Sequence, residues 1–257
     1  MTRVTEPDEA AAADEFVACP HGGRQIVRSR HVRLADVTPS GRIRLDALAR
    51  YLHDVAADDV NDAGIVGAWV LRRMALRLGT LPRFQEEVEL STFCSGTGSR
   101  WAERRTTVTV PARGATEPSS VEAVAIWVYV DVESGRPARL EEWFWDLYRT
   151  AANDRVVSGR LRHGRPPPTA DTRPWPLRRA DLDVLDHVNN AVSWAAVEDA
   201  LAVHGSGRRL IGAEIEYRAP IDLGEEPVLR ADSDDEQVAC WLTVGDEVRT
   251  SAIARFG

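Results

Sequence analysis

The sequence contains no lysine, so all 32 of its basic residues are arginine; the bias is of the kind a GC-rich genome imposes and carries no functional content. Cysteine is sparse. Cys19, Cys94 and Cys240 have neither the even number nor the close spacing of a disulfide framework or a zinc site, and are expected to be reduced and mostly buried. No run approaches the roughly 20 apolar residues a membrane helix needs, and Met1 to Ala13 is acidic where a signal peptide starts basic and turns apolar. The expected location is therefore cytoplasmic, away from any membrane. A surplus of positive charge is missing as well: the net charge of -8 argues against nucleic acid as a partner, because affinity for phosphates comes from Lys and Arg gathered on one face.

What is present is ordinary globular material, 44% hydrophobic and 28% charged over 257 residues. That length suits two units sharing a core. The opening is polar, Ala-rich and acidic, so residues 1–20 are expected to be a disordered tail. Residues 158–176 hold three consecutive prolines and are expected to be an extended linker. The division that follows is an N-terminal domain over 21–157 and a C-terminal domain over 177–257.

The two parts resemble each other. Arg33 to Val37 leads through Pro39-Ser40-Gly41 into Ile43 to Val60, where Leu45, Leu48, Leu52 and Val55 keep helical spacing. Arg178 to Leu182 leads likewise into Val188 to His204, with Val188, Val192, Ala195, Val197 and Leu201 as the apolar stripe. Period-two segments follow each helix: Glu87 to Ser91, Arg104 to Val110 and the apolar run Val124 to Val130, then Ala213 to Tyr217, Val228 to Ala231, Gln237 to Val244 and Val248 to Phe256. A long helix followed by antiparallel strands, twice over, predicts an α+β tandem double hotdog, each unit a long central helix wrapped by an antiparallel sheet.

The segment Asp181 to Asn190, DLDVLDHVNN, resembles the active-site segment of acyl-acyl carrier protein thioesterases, with HVNN its most specific part. Trp69 to Met74, Thr92 to Gly96 with Arg104 and Arg105, Ile126 to Val128, and Glu216 to Arg218 are similar to further segments of that family in order and spacing. The resemblance covers about Gln25 to Phe256. It implies hydrolysis of fatty acyl thioesters on acyl carrier protein, or on CoA, without metal or cofactor. The family pattern Asp-x-Asn-x-His has Leu185 in place of its Asn here, and Pro220 and Ile221 stand where the family commonly has Glu and Cys. Asp222 follows directly as a possible auxiliary acid.

Thioester hydrolysis needs activated water, stabilisation of the carbonyl oxyanion and help for the departing thiolate. Asp183 suits the first role as base, or alternatively attacks directly as a nucleophile, and His187 accompanies it. Backbone N–H groups around Val188, Asn189 and Asn190, at the start of the second helix, are the expected oxyanion donors. Aligning Asp36 with Asp181 sets Thr38 opposite Asp183 and Arg42 opposite His187, so one active site per chain is expected, in the second domain. The first domain then supplies the acyl pocket, with Trp69, Met74, Leu78 and Trp127 as wall candidates. Glu198, in mid-helix, is expected to be solvated or structural. Arg72, Arg73 and Arg77, and Arg100, Arg104 and Arg105, are candidates to meet an acidic carrier protein, with solvated surface charge as their plain reading. The apolar residues at Leu185, Pro220 and Ile221 motivate an alternative, a non-catalytic protein that binds acyl thioesters. An enoyl-thioester hydratase is a further alternative, but the Asn-Pro element of such enzymes is absent. Two hotdogs in one chain can pair with each other, so a monomer or a homodimer is compatible with the sequence.

Overall fold

The computed structural model describes residues 16–65, 67–112 and 119–257; most of the expected tail lies outside them. Strand β1 (Gln25–His31) precedes helix α1 (Leu45–Asp62), then come β2 (Ala68–Leu78), β3 (Glu87–Thr97), β4 (Trp101–Val110), β5 (Ser119–Val130) and helix α2 (Glu142–Ala152). The second half runs β6 (Asp171–Pro174), α3 (Ser193–His204), β7 (Leu210–Tyr217), β8 (Val228–Ser233), β9 (Gln237–Val244) and β10 (Glu247–Phe256). All ten strands form one antiparallel sheet in the order β1-β3-β4-β5-β2-β7-β10-β9-β8-β6.

The halves join where β2 pairs with β7, from Arg73 opposite Glu216 to Arg77 opposite Gly212. Each of these strands follows its half's helix, and they run antiparallel, so the halves face each other across an approximate twofold axis. Helix α1 buries Leu45, Leu48, Leu52, Val55 and Ala56, the three-and-four spacing that sets one stripe against the sheet. Helix α3 buries Trp194, Ala196, Val197 and Ala200 and meets α1, so both helices share one core with Ile215, Leu229 and Leu242.

Three elements differ from expectation. The expected linker contains β6, whose pairing runs from Asp171 opposite Ala231 to Pro174 opposite Val228. An extended Pro-rich segment can pair this way because β6 is an edge strand, where a proline need not donate. The crossing is also fastened: Trp241 Nε1 donates to the Gly164 carbonyl (2.9 Å), and Trp175 is buried. Helix α2 was not foreseen; Phe144 and Tyr148 bury against Cys94, Ala102 and Tyr129, and Asn153 ends it in the left-handed conformation (φ 48°). Helix α3 begins at Ser193 rather than Val188. The Asn189 side chain accepts the Ala191 N–H (2.9 Å) and its carbonyl accepts the Val192 N–H (2.8 Å), holding a turn ahead of the helix. Among the described residues, no helix is long and apolar enough to cross a membrane.

Candidate active site

The segment from Asp181 to Asn190 is a tight loop. Buried Asp181 closes a 3-10 turn by accepting the Arg178 N–H (2.8 Å). Leu182 bridges Val188, and the Asp183 N–H donates to the His187 carbonyl (2.8 Å). Asp183 Oδ1 accepts the N–H groups of Leu185 (2.8 Å) and His187 (3.3 Å), while Oδ2 has no hydrogen-bond partner among the described residues. One carboxylate oxygen is thus locked and the other is open, on a half-buried side chain. His187 bridges Asp222 through its backbone, and its Nε2 stands 3.5 Å from Asp222 Oδ1, with the side chains 40% and 60% exposed. At that exposure the pair adds little stability, but it orients the imidazole.

The expected oxyanion donors divide. The Val188 N–H donates to the Ile221 carbonyl and the Asn189 N–H to the Asp181 carbonyl, each at 2.8 Å, so these two are engaged in holding the loop. The Asn190 N–H has no partner among the described residues. Its carbonyl accepts the Tyr217 hydroxyl (2.9 Å), which burial keeps protonated by pushing its pKa up. The Tyr217 carbonyl in turn accepts Arg72 Nη1 (3.1 Å). Arg72 sits in the irregularity of β2 between Leu71 and Arg73, so a bulge in the first half reaches the loop of the second.

The first half repeats the backbone pairing of this loop. Val37 bridges Ile43, the Thr38 N–H donates to the Arg42 carbonyl (2.7 Å), and Arg42 bridges Arg83 as His187 bridges Asp222. The N–H of Arg83 donates to Glu86 (2.8 Å) as that of Asp222 does to Glu225 (2.9 Å). Gly41 takes the left-handed turn position (φ 79°) that Asp186 takes in the second half (φ 59°). The same backbone therefore carries Thr38, Arg42 and Arg83 in one half and Asp183, His187 and Asp222 in the other.

A cavity of about 260 Å³ lies in the first half, lined by α1 at His53, Ala56, Ala57, Val60 and Asn61, by Trp69 and Trp127 on the sheet, and by Phe144 and Tyr148 of α2. Arg104 also lines it, paired with Asp59 Oδ2 (2.6 Å), which accepts the Tyr148 hydroxyl as well (2.9 Å). This network makes a polar end to a mainly apolar chamber. A cleft in the second half is its counterpart, lined at the matching α3 positions Glu198, Leu201, Ala202 and Gly205, and it includes Thr38 and Arg42.

Of the wall candidates, Trp69 and Trp127 line the cavity, whereas Met74 and Leu78 are buried in the shared core and do not. His53, Phe144 and Tyr148 were missed: the last two belong to the unforeseen helix, and His53 sits on a helix face read only for its apolar stripe. Leu185, at the family's Asn position, is 67% exposed. Of the clustered arginines, Arg77 and Arg100 are exposed surface charge, whereas three others are not. Arg73 pairs toward Glu214 at 4% exposure, Arg104 with Asp59, and Arg105 with Glu122, because interior strands force these side chains to find buried carboxylates. Glu198 is structural: it takes Arg42 in a two-pronged pair (2.9 and 2.8 Å) and accepts the Leu45 N–H (2.8 Å) at the start of α1. His163, Glu214 and Glu216 converge closely enough to suggest metal ligands. Glu216, however, accepts the Arg162 and His163 N–H groups and Arg218 Nη2 (2.7 Å), so the cluster anchors the crossing segment to the sheet.

These features define a double hotdog of the thioesterase kind. Models of the acyl-ACP thioesterase N-terminal and C-terminal domains match residues 24–148 and 166–249. The chain therefore belongs to the acyl-ACP thioesterase family and is a hydrolase of fatty acyl thioesters. Two proteins of Mycobacterium tuberculosis, from strains CDC 1551 and H37Rv and each described as an uncharacterized protein, are 26% identical over 243 residues, covering 93% of this chain and 95% of theirs. In fold the chain is similar to a 12:0-ACP thioesterase from Umbellularia californica (TM-score 0.76, 18% identity, 91% of this chain and 97% of that one). It is likewise similar to an acyl-ACP thioesterase from Bacteroides thetaiotaomicron (TM-score 0.71, 17% identity, 91% and 98%).

Proposed function

We propose that the chain releases fatty acids from acyl carrier protein, or from CoA, at a single centre formed by Asp183, His187 and the Asn190 N–H. The observation that carries this reading is the loop's asymmetry: two N–H groups hold Asp183 Oδ1 and leave Oδ2 without a partner, and on the same loop Asn190 has the only backbone donor of HVNN without a partner among the described residues. Asp183 Oδ2 takes a proton from water as the oxygen adds to the thioester carbonyl carbon. The oxyanion rests on the Asn190 N–H. As the oxyanion collapses and the C–S bond breaks, the proton held by Asp183 passes through His187 to the departing thiolate. The first half has no carboxylate or imidazole at the equivalent loop positions, which supports one centre per chain. Direct attack by Asp183 would instead put a solvent oxygen into the enzyme first; single turnover in ¹⁸O-labelled water separates the two routes.

The acyl chain occupies the first-half cavity. Support comes from the internal correspondence, since the counterpart cleft includes Thr38 and Arg42, the positions of Asp183 and His187. Because the two hotdogs pair within one chain, a monomer is complete, and a substrate on carrier protein would be met in the cytoplasm. The test is thiol release from matched panels of acyl carrier protein and CoA thioesters. Turnover of either panel is expected, with carrier protein preferred; binding of thioesters without thiol release would support the acyl-binding reading instead.

A further inference from the structure

We propose that His53, on the helix of the first half, is a catalytic residue of the second half's centre, donating a hydrogen bond to the thioester carbonyl oxygen beside the Asn190 N–H. The inference rests on the hydrolase reading above and deepens it.

The correspondence between halves pairs His53 with Glu198 and Asn190 with Leu45, at the same spacing that pairs Asp36 with Asp181. Glu198 crosses from α3 to the first half's loop, where its carboxylate meets Arg42 and the Leu45 N–H (2.8 Å). The approximate twofold axis sends the matching side chain of α1, His53, to the second half's loop, where the matching groups are His187 and the Asn190 N–H. Helix geometry agrees. Leu45 to His53 spans about 12 Å at the α-helical rise, and Asn190 to Glu198 covers the same number of residues through the turn before α3 and its first turns, so the twofold relation that brings Glu198 to Leu45 directs His53 toward Asn190.

The first half is thus a filled version of the site. Glu198 Oε1 on the Leu45 N–H marks where a negative oxygen sits on such a loop; in the second half histidine stands in place of the glutamate, and the Asn190 N–H has no partner among the described residues. His53 Nε2 is buried and has no hydrogen-bond partner among the described residues, a deficit that a carbonyl oxygen from substrate would relieve. Burial lowers the His53 pKa to about 4, so at neutral pH the ring is an uncharged donor. A neutral N–H can stabilise charge that develops on the oxygen without placing a cation in the ground state. His53 also lines the acyl cavity and stands edge-on to Trp127 (centroids 5.6 Å apart, 76°), so it lies where the chamber meets the reacting end of the substrate.

The experiment compares His53→Phe and His53→Gln with wild type in thiol release from a decanoyl thioester, with kcat and KM separated. Phenylalanine keeps a ring against Trp127 and removes the N–H; glutamine keeps an N–H at similar reach. The expected result is a kcat about 100-fold lower in His53→Phe, as for loss of one oxyanion donor, with KM within about threefold and at least tenfold of the kcat recovered in His53→Gln. Wild-type kcat in His53→Phe overturns the proposal while leaving the hydrolase reading intact. Failure of the wild type to release thiol from any thioester overturns both.

Discussion

With the acyl chain in the first-half cavity, as proposed, that cavity would act as a ruler whose length can be read from the helix that lines it. Its wall on α1 runs from His53 to Asn61, about 12 Å at the helical rise. An extended acyl chain advances about 1.3 Å per bond for C–C bonds near 1.5 Å, so about nine or ten carbons fit before the Arg104–Asp59–Tyr148 network. The volume agrees: a cavity of about 150 Å³ holds the six carbons of benzene, and about 260 Å³ scales to about ten. Each buried methylene contributes about 0.8 kcal/mol, so kcat/KM should climb about fourfold per carbon and stop climbing near ten. The ion pair will not yield to a methyl terminus, because separating buried partners costs several kcal/mol. Ala56→Leu adds three carbons to this wall one helical turn from His53, from a buried position. It should displace about three methylenes, lower kcat/KM for the decanoyl thioester about 50-fold, equivalent to about 2.4 kcal/mol, and spare the butanoyl thioester, whose chain ends before Ala56. Thiol release across thioesters of four to sixteen carbons reads both profiles. Identical profiles for variant and wild type would refute the placement of the acyl chain in this cavity.

Other consequences concern stability and pH. Glu198→Ala removes the partner of Arg42 and the acceptor of the Leu45 N–H, and should cost about 2–3 kcal/mol in urea unfolding; a loss below about 0.5 kcal/mol would show that the pair does not bolt the halves together. Asp186 holds a left-handed conformation (φ 59°), so Asp186→Gly should leave stability within about 0.5 kcal/mol while Asp186→Val costs about 1–2 kcal/mol, checked by thermal unfolding. His53 has a folded pKa of about 4 against an ordinary 6.5, so the unfolded chain binds the extra proton between those values. The stability associated with its neutral form is full above pH 6.5 and is lost as pH falls toward 4. Wild type should lose about 3 kcal/mol more than His53→Gln over that window; parallel curves would contradict the burial of this ring.

The double-hotdog architecture was legible because its cues are local. Helical spacing at Leu45, Leu48, Leu52 and Val55 and period-two strands after each helix need no knowledge of distant contacts. The repeat made Asp183 and His187 stand out against Thr38 and Arg42. Features set by tertiary partners were not legible. Val188 and Asn189 looked like helix-start donors, but their N–H groups answer to the Ile221 and Asp181 carbonyls, one of them more than thirty residues away. Met74 and Trp69 are equally apolar on the same strand, and only the path of α2 decides that Trp69 faces the chamber. Arg73, Arg104 and Arg105 read as surface charge until the register of interior strands set them beside Glu214, Asp59 and Glu122. His53 carries no motif at all; its meaning comes from the twofold relation to Glu198.

The central claim is that one carboxylate, Asp183, activates the water that cleaves the thioester. Its most direct test is single-turnover thiol release from a decanoyl thioester by wild type and Asp183→Asn, with thioester binding measured on the same samples. The account predicts that the variant binds within about threefold of wild type and releases thiol about 10³-fold more slowly, in the range expected for loss of a general base. Wild-type release by Asp183→Asn would contradict it and move the chemistry to another group.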